Sequence, residues 1–69
     1  MIVKSQDGKS YDIYTISTRG KCVYCQDNAD RRRKRVLGEY SSIERATVVF
    51  DEIRNCIDGY YEMPQDSEV

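Results

Sequence analysis

Ser41-Ser42-Ile43-Glu44-Arg45-Ala46-Thr47-Val48-Val49-Phe50-Asp51-Glu52-Ile53-Arg54-Asn55-Cys56-Ile57-Asp58-Gly59 is the stretch where the hydrophobic period of the chain changes. Ala46, Val49, Phe50, Ile53 and Ile57 recur at spacings of three and four, the stripe of an amphipathic helix. Glu44, Arg45, Thr47, Asp51, Glu52 and Arg54 make its polar side. Ser41, with Glu44 three residues on as a capping-box partner, or Ser42 suits the N-cap, and Gly59 is placed to take the left-handed C-terminal conformation.

Upstream of the helix the residues favour strands. Ile2-Val3 opens an extended segment that meets Gln6-Asp7-Gly8-Lys9, where Asp-Gly offers the positive-φ residues of a tight hairpin. Residues 10–17 carry Tyr11, Ile13, Tyr14 and Ile16 and end near Thr18-Arg19-Gly20. A second hairpin runs from residues 21–26 through Asp27-Asn28-Ala29-Asp30 to a strand that ends in Val36-Leu37-Gly38-Glu39-Tyr40. Beyond the helix, Tyr60-Tyr61-Glu62-Met63 has the length of one short edge strand that Pro64 ends. The expected fold is therefore α+β: a four-stranded antiparallel meander of two hairpins, then one amphipathic helix packed on one face, with a short C-terminal edge strand. Residues 1–64 form the domain and residues 65–69 a flexible acidic tail. The helix stripe is expected to meet Val3, Ile13, Val23 and Leu37. Tyr11, Tyr14, Tyr24 and Tyr40 are expected on the open face, where amphipathic rings suit a dimer interface or a ligand.

A chain of 69 residues builds only a modest core and lies near the lower limit for folding without staples or a partner, so a homodimer that hides a further apolar face is expected. Apolar residues at 39% and charged residues at 33% make it polar, yet its Ile, Val, Leu and Tyr take it out of the disordered class. Met1-Ile2-Val3 is followed at once by Lys4-Ser5-Gln6-Asp7-Gly8, which does not read as a signal peptide, and no apolar run has membrane-spanning length. A cytoplasmic protein with no membrane partner is expected. Cys22, Cys25 and Cys56 are an odd number and fit reduced thiols.

Charge is nearly balanced in total and strongly segregated along the chain. Between residues 19 and 35, Arg19, Lys21, Arg31, Arg32, Arg33, Lys34 and Arg35 stand against Asp27 and Asp30, a net of +5. From residue 39 onward, eight acids face Arg45 and Arg54, a net of −6. The run Arg31-Arg32-Arg33-Lys34-Arg35 cannot all point inward, so part of it projects from the second hairpin. Arginine takes phosphate bidentately, and with Tyr24 and Tyr14 for stacking the run makes a candidate nucleic-acid or nucleotide contact. Two rival readings are a solvated hairpin matched by the acidic helix, and a protein interface built on Arg and Tyr hot spots.

Cys22-Val23-Tyr24-Cys25 has the form C-x-x-C, but in a strand an offset of three sends the thiols to opposite faces, which defeats chelation and disulfide formation. No metal site or cofactor is expected, and buried thiols are the preferred reading. The chain has no histidine, no Gly-rich phosphate loop and no nucleophile elbow, so an enzyme is not expected.

Met1-Ile2, Ser5-Gln6-Asp7, Leu37-Gly38-Glu39-Tyr40, Glu44-Arg45-Ala46, Val49, Glu52-Ile53 and Tyr61-Glu62-Met63-Pro64 together resemble a pattern of short uncharacterised proteins of Firmicutes and their phages and prophages. The resemblance spans nearly the whole chain, and its motifs mark a turn, a strand end and a helix face. The cysteine pair and the five-cation run depart from it. It implies a mobile-element setting in which tiny proteins act stoichiometrically on a host protein such as a defence nuclease or effector. An inhibitor of a host defence system, anti-CRISPR-like, is the function the resemblance favours, with a nucleotide-signal sponge as a further form. The order of four strands and a helix is also similar to the small dimeric single-stranded DNA-binding fold of the positive-cofactor-4 type, which makes a nucleic-acid-binding module the rival expectation.

Overall fold

The computed structural model describes residues 1–69. Five strands and one helix follow in the order β1 (Ile2–Lys4), β2 (Ser10–Arg19), β3 (Cys22–Asp27), β4 (Lys34–Glu39), α1 (Ile43–Arg54) and β5 (Tyr60–Glu62), with a 3-10 turn over Asp66–Glu68. The expected α+β class and antiparallel meander are present. The sheet order is β4-β3-β2-β1-β5, and the short C-terminal strand is an edge strand that runs parallel to β1.

Each hairpin follows from its turn residues. Gly8 N–H donates to Ser5 and Ser5 N–H to Lys9, and Gly8 alone has a positive φ, +89°. This corrects the two-residue Asp-Gly turn expected from sequence: Asp7 keeps a negative φ and the loop is one residue longer, ending in a bulge that needs glycine. Gly20, at φ +59°, comes first in the two-residue β2–β3 connection, the position that favours glycine in hairpins of this length.

β2 is shared between two halves of the sheet. Its first part pairs with β1 (Val3 opposite Tyr11) and its second with β3 (Ile16 opposite Cys25). Between them Tyr14 is an extra residue, a bulge that bends the strand. A second bulge falls at Leu37 in β4. The bends curl the sheet until Gln6, on the first hairpin, donates its N–H to the carbonyl of Leu37 at 2.9 Å.

The core lies between the concave side of this sheet and α1. Val3, Val23, Cys25, Leu37, Tyr40, Ala46, Val49, Ile53 and Met63 are buried together, with Tyr11, Ile13, Ile16, Tyr61 and Val69 packed at its margin. Each fully buried Val or Leu contributes about 1.5 to 3 kcal/mol relative to exposure. Two expected tyrosines change sides: Tyr40 is buried, with its hydroxyl donated to the Pro64 carbonyl at 2.9 Å, and Tyr11 lines the core. Burial pushes the Tyr40 phenol up to about 12.

Helix α1 starts at Ser42, whose hydroxyl accepts the Arg45 N–H at 3.1 Å, so Ser42 rather than Ser41 is the cap. The helix stops before the sequence pattern does. Asn55 caps it, donating its side-chain amide to the Asp51 carbonyl at 2.8 Å, and competes with continuation of the ladder. Ile57, expected on the apolar stripe, is therefore 95% exposed, and Gly59 serves the turn into β5 instead of the helix end. Neither this 12-residue helix nor any other is long and apolar enough to cross a membrane.

The acidic segment after Pro64, expected to be a free tail, has definite partners. Arg45 donates to the Asp66 carbonyl at 2.6 Å and pairs with its carboxylate at 3.5 Å, and Ser41 N–H donates to the same carboxylate at 2.9 Å. Gln65 donates its side-chain amide to the Gln6 carbonyl at 3.1 Å.

Candidate functional site

Strand alternation distributes the second hairpin between two surfaces. Val23, Cys25 and Asp27 of β3 are buried, so Cys22, Tyr24 and Gln26 between them lie on the outer face. Register extends that face sideways: Tyr24 stands opposite Ser17 and Val36, and Gln26 opposite Thr15 and Lys34. Tyr14, the bulge residue, joins them and is 49% exposed. Cys22 and Cys25 consequently sit on opposite faces of β3.

The five-cation run splits three ways. Arg31 folds back so that its guanidinium lies 4.1 Å from the centre of the Tyr14 ring, and it also donates to the Asn28 side chain at 3.0 Å. Lys34 lies 5.9 Å from the Tyr24 ring. Both placements bring cation and ring within the range of mutual attraction. Arg32 and Arg33 occupy the exposed tip and have no side-chain partner. Arg35, opposite buried Cys25, turns to the inner side, where it reaches Tyr11 at 5.8 Å and leaves a buried Nε without a hydrogen-bond partner. Of the seven residues expected to contact a ligand, the structure thus gathers Tyr14, Tyr24, Arg31 and Lys34 and sets Arg35 apart.

The loop that carries these cations is braced. Buried Asp27 accepts the Asp30 N–H at 2.9 Å, and Asp30 accepts the Arg32 N–H at 3.1 Å. Gln26 accepts from the Thr15 hydroxyl at 2.8 Å and donates to the Arg31 carbonyl at 2.7 Å, tying β2, β3 and the loop together. Sequence reading missed Gln26, Thr15, Asn28 and exposed Val36; the signal for Gln26 was its place two residues beyond Tyr24 on the same face. Internal matching of the run to the acidic helix is not found: the side-chain ion pairs are Lys4 with Glu62 at 3.6 Å and Arg45 with Asp66.

No family model, curated protein or solved structure matches the chain. The outer face offers the exposed Tyr14 ring, the half-buried Tyr24 ring, two cations held against them and an unpaired cationic tip, a set whose chemistry suits phosphate and planar bases or the acidic and aromatic groups of a protein. Cys22, beside Tyr24, raises the pKa of the Tyr24 phenol through a hydrogen bond. On the inner side, burial and then Asp27 push the Cys25 thiol up to about 11, against the pull of Arg35, which marks it as a packing group rather than a nucleophile.

Proposed function

We propose that this protein is a non-enzymatic binding module that holds single-stranded nucleic acid on the outer face of β2, β3 and β4. The observation that carries the reading is the pairing of each tyrosine on that face with a cation from the β3–β4 hairpin, Arg31 with Tyr14 and Lys34 with Tyr24. Rings and guanidinium planes stack bases without demanding a sequence, while the neighbouring cations take the backbone. With no acid of the chain paired to the run, its charge is available to phosphate. The test is titration with a fluorescent oligonucleotide at two salt concentrations. Binding that weakens steeply with salt supports the proposal, and no binding at low salt removes it.

A second reading, a stoichiometric inhibitor that blocks a host defence protein, is favoured by Val36. This residue is 53% exposed beside Tyr24, with Lys34 two residues away on the same strand and Arg31 over Tyr14 on the same face, which gives an apolar centre with a cationic and aromatic rim. It also accords with the resemblance to phage and prophage proteins. Here Val36→Ala, which leaves the charge of the face unchanged, should abolish protection of phage in a defended host while leaving oligonucleotide binding largely intact. Absence of protection by the parent protein in defended hosts sinks this reading.

A further inference from the structure

Two surface regions carry opposite charge, and the cationic one has no partner inside the chain. At the β3–β4 tip, Arg32 and Arg33 are exposed and their side chains make no hydrogen bond or ion pair, whereas Arg31 and Lys34 are folded over tyrosines. The backbone presenting them is held by Asp30, which accepts Arg32 N–H on its side chain and Arg33 N–H on its carbonyl. Elsewhere, between α1 and the segment after β5, an open groove of about 460 Å³ has Val48, Tyr61 and Pro64 along its floor and Glu52, Glu62 and Glu68 at its rim. No residue lining it is basic; Lys4 pairs with Glu62 at 3.6 Å from outside the groove and the Gln65 N–H donates to Glu68 at 2.7 Å, which leaves each carboxylate a second oxygen for a partner. Val48 is 52% exposed there.

Tip and groove share no residue, and no ion pair joins them within one chain. We infer that the Arg32–Arg33 tip of one copy docks in the Glu52–Glu62–Glu68 groove of a second copy. Arginine fits both features of the groove: its methylene stem packs on Val48 and Pro64, and its guanidinium forks to carboxylates. The rival route to self-association is less favourable. Pairing β4 with β4 of another copy sets a cationic strand, Lys34 and Arg35, against its own kind. The contact differs from a dimer that hides one shared apolar face, because the two surfaces that meet are unlike.

This inference does not rest on the nucleic-acid reading, since sedimentation of the protein without oligonucleotide reads it alone. At low salt the full chain should sediment above monomer mass, and it should fall to monomer between about 0.1 M and about 1 M salt as the screening length drops from ~10 to ~3 Å. The tip variant R32E/R33E and the groove variant E52K/E62K should each be monomeric at low salt, with circular dichroism unchanged. Mixed in equal amounts, they should associate, because the acidic tip of one meets the basic groove of the other and the remaining native tip meets a native groove. A monomeric parent protein at low salt overturns the inference. So does association that survives either reversal, or a mixture that stays monomeric.

Discussion

The N–H of Gln6 donates to the carbonyl of Leu37 at 2.9 Å, joining the first hairpin to the strand at the far edge of the sheet. Gln6 uses its other polar groups for the same closure. Its side-chain oxygen accepts Glu39 N–H at 2.8 Å, its amide donates to the Pro64 carbonyl at 3.1 Å, and its own carbonyl accepts from Gln65. One residue thus ties the first turn, the β4 edge and the C-terminal segment, and the curled sheet keeps α1 over its concave side.

Truncating that residue should open the closure. Gln6→Ala retains the backbone bonds and removes both side-chain ones, leaving the Glu39 N–H and part of the Pro64 carbonyl unsatisfied. Because Glu39 is exposed and water can reach its N–H, a loss of about 0.5 to 1.5 kcal/mol, that of a net hydrogen bond, is expected. Urea denaturation should show a lower midpoint, and an unchanged midpoint would deny Gln6 this role.

Gly38 is fixed by the same closure. A Cβ placed on it would lie 3.0 Å from the Tyr40 hydroxyl, 3.1 Å from the Gln6 side chain and 3.1 Å from the Met63 methyl. Three groups have to give way together, and two of them hold the Pro64 carbonyl. Gly38→Ala should cost about 1 to 3 kcal/mol by overpacking, although its backbone suits any residue. Thermal melts read this directly, and a parent-like melting temperature would show that the neighbours yield freely.

How far these features were legible in the sequence depends on the range of the interactions that set them. The helix face was legible because Ala46, Val49 and Ile53 repeat locally, and both hairpins because Asp7-Gly8 marks the turn of the first and Asp27-Asn28-Ala29-Asp30 that of the second. The helix end was not: Ile57 keeps the period, and only the Asn55 side chain on the Asp51 carbonyl ends the helix earlier. The phase break from Tyr11 and Ile13 to Ile16 recorded the bulge at Tyr14, whereas the pairing of β5 with β1 left no local mark. At the site, Tyr14 and Tyr24 were legible as rings of the outer face. The division of the cations was not, because Arg31, Arg32 and Arg33 belong to the turn and strand alternation begins only at Lys34.

The three cysteines should separate by reactivity. Cys25 is 1% exposed and its thiol is pushed up to about 11 by burial, so its thiolate fraction near pH 8 is on the order of one in a thousand. Cys22 and Cys56 are both partly exposed. A thiol reagent at pH 8 should modify those two in the native protein and Cys25 only in denaturant, as peptide mapping would show. Prompt native labelling of Cys25 contradicts its burial.

Acid should weaken the protein partly through Asp66. The Ser41 N–H, and then Arg45, hold this carboxylate below its usual value of 3.8. A folded pKa lower than the unfolded one adds stability that is present above the unfolded value and is lost as pH falls through the folded value. Asp66→Asn should therefore flatten the decline of stability below about pH 4. It should not abolish it, since Asp7 is held low by Ser5 in the same way. Identical acid limbs in parent and variant would show that the C-terminal segment is not docked through this carboxylate.

On the outer face, ring and cation should have separable effects on oligonucleotide binding. Tyr24→Ala removes a stacking surface and should cost about 1 to 3 kcal/mol of affinity with the salt dependence unchanged. Arg31→Gln removes one charge and should lower the slope of log affinity against log salt by about one. It also frees the Tyr14 ring, so at high salt, where phosphate contacts count least, the Arg31 variant should lose less affinity than the Tyr24 variant. Because both side chains lie outside the core, melting temperatures should stay close to the parent value. If the two variants shift affinity and salt slope alike, ring and cation act as one packed unit, and the division of labour proposed for this face is wrong.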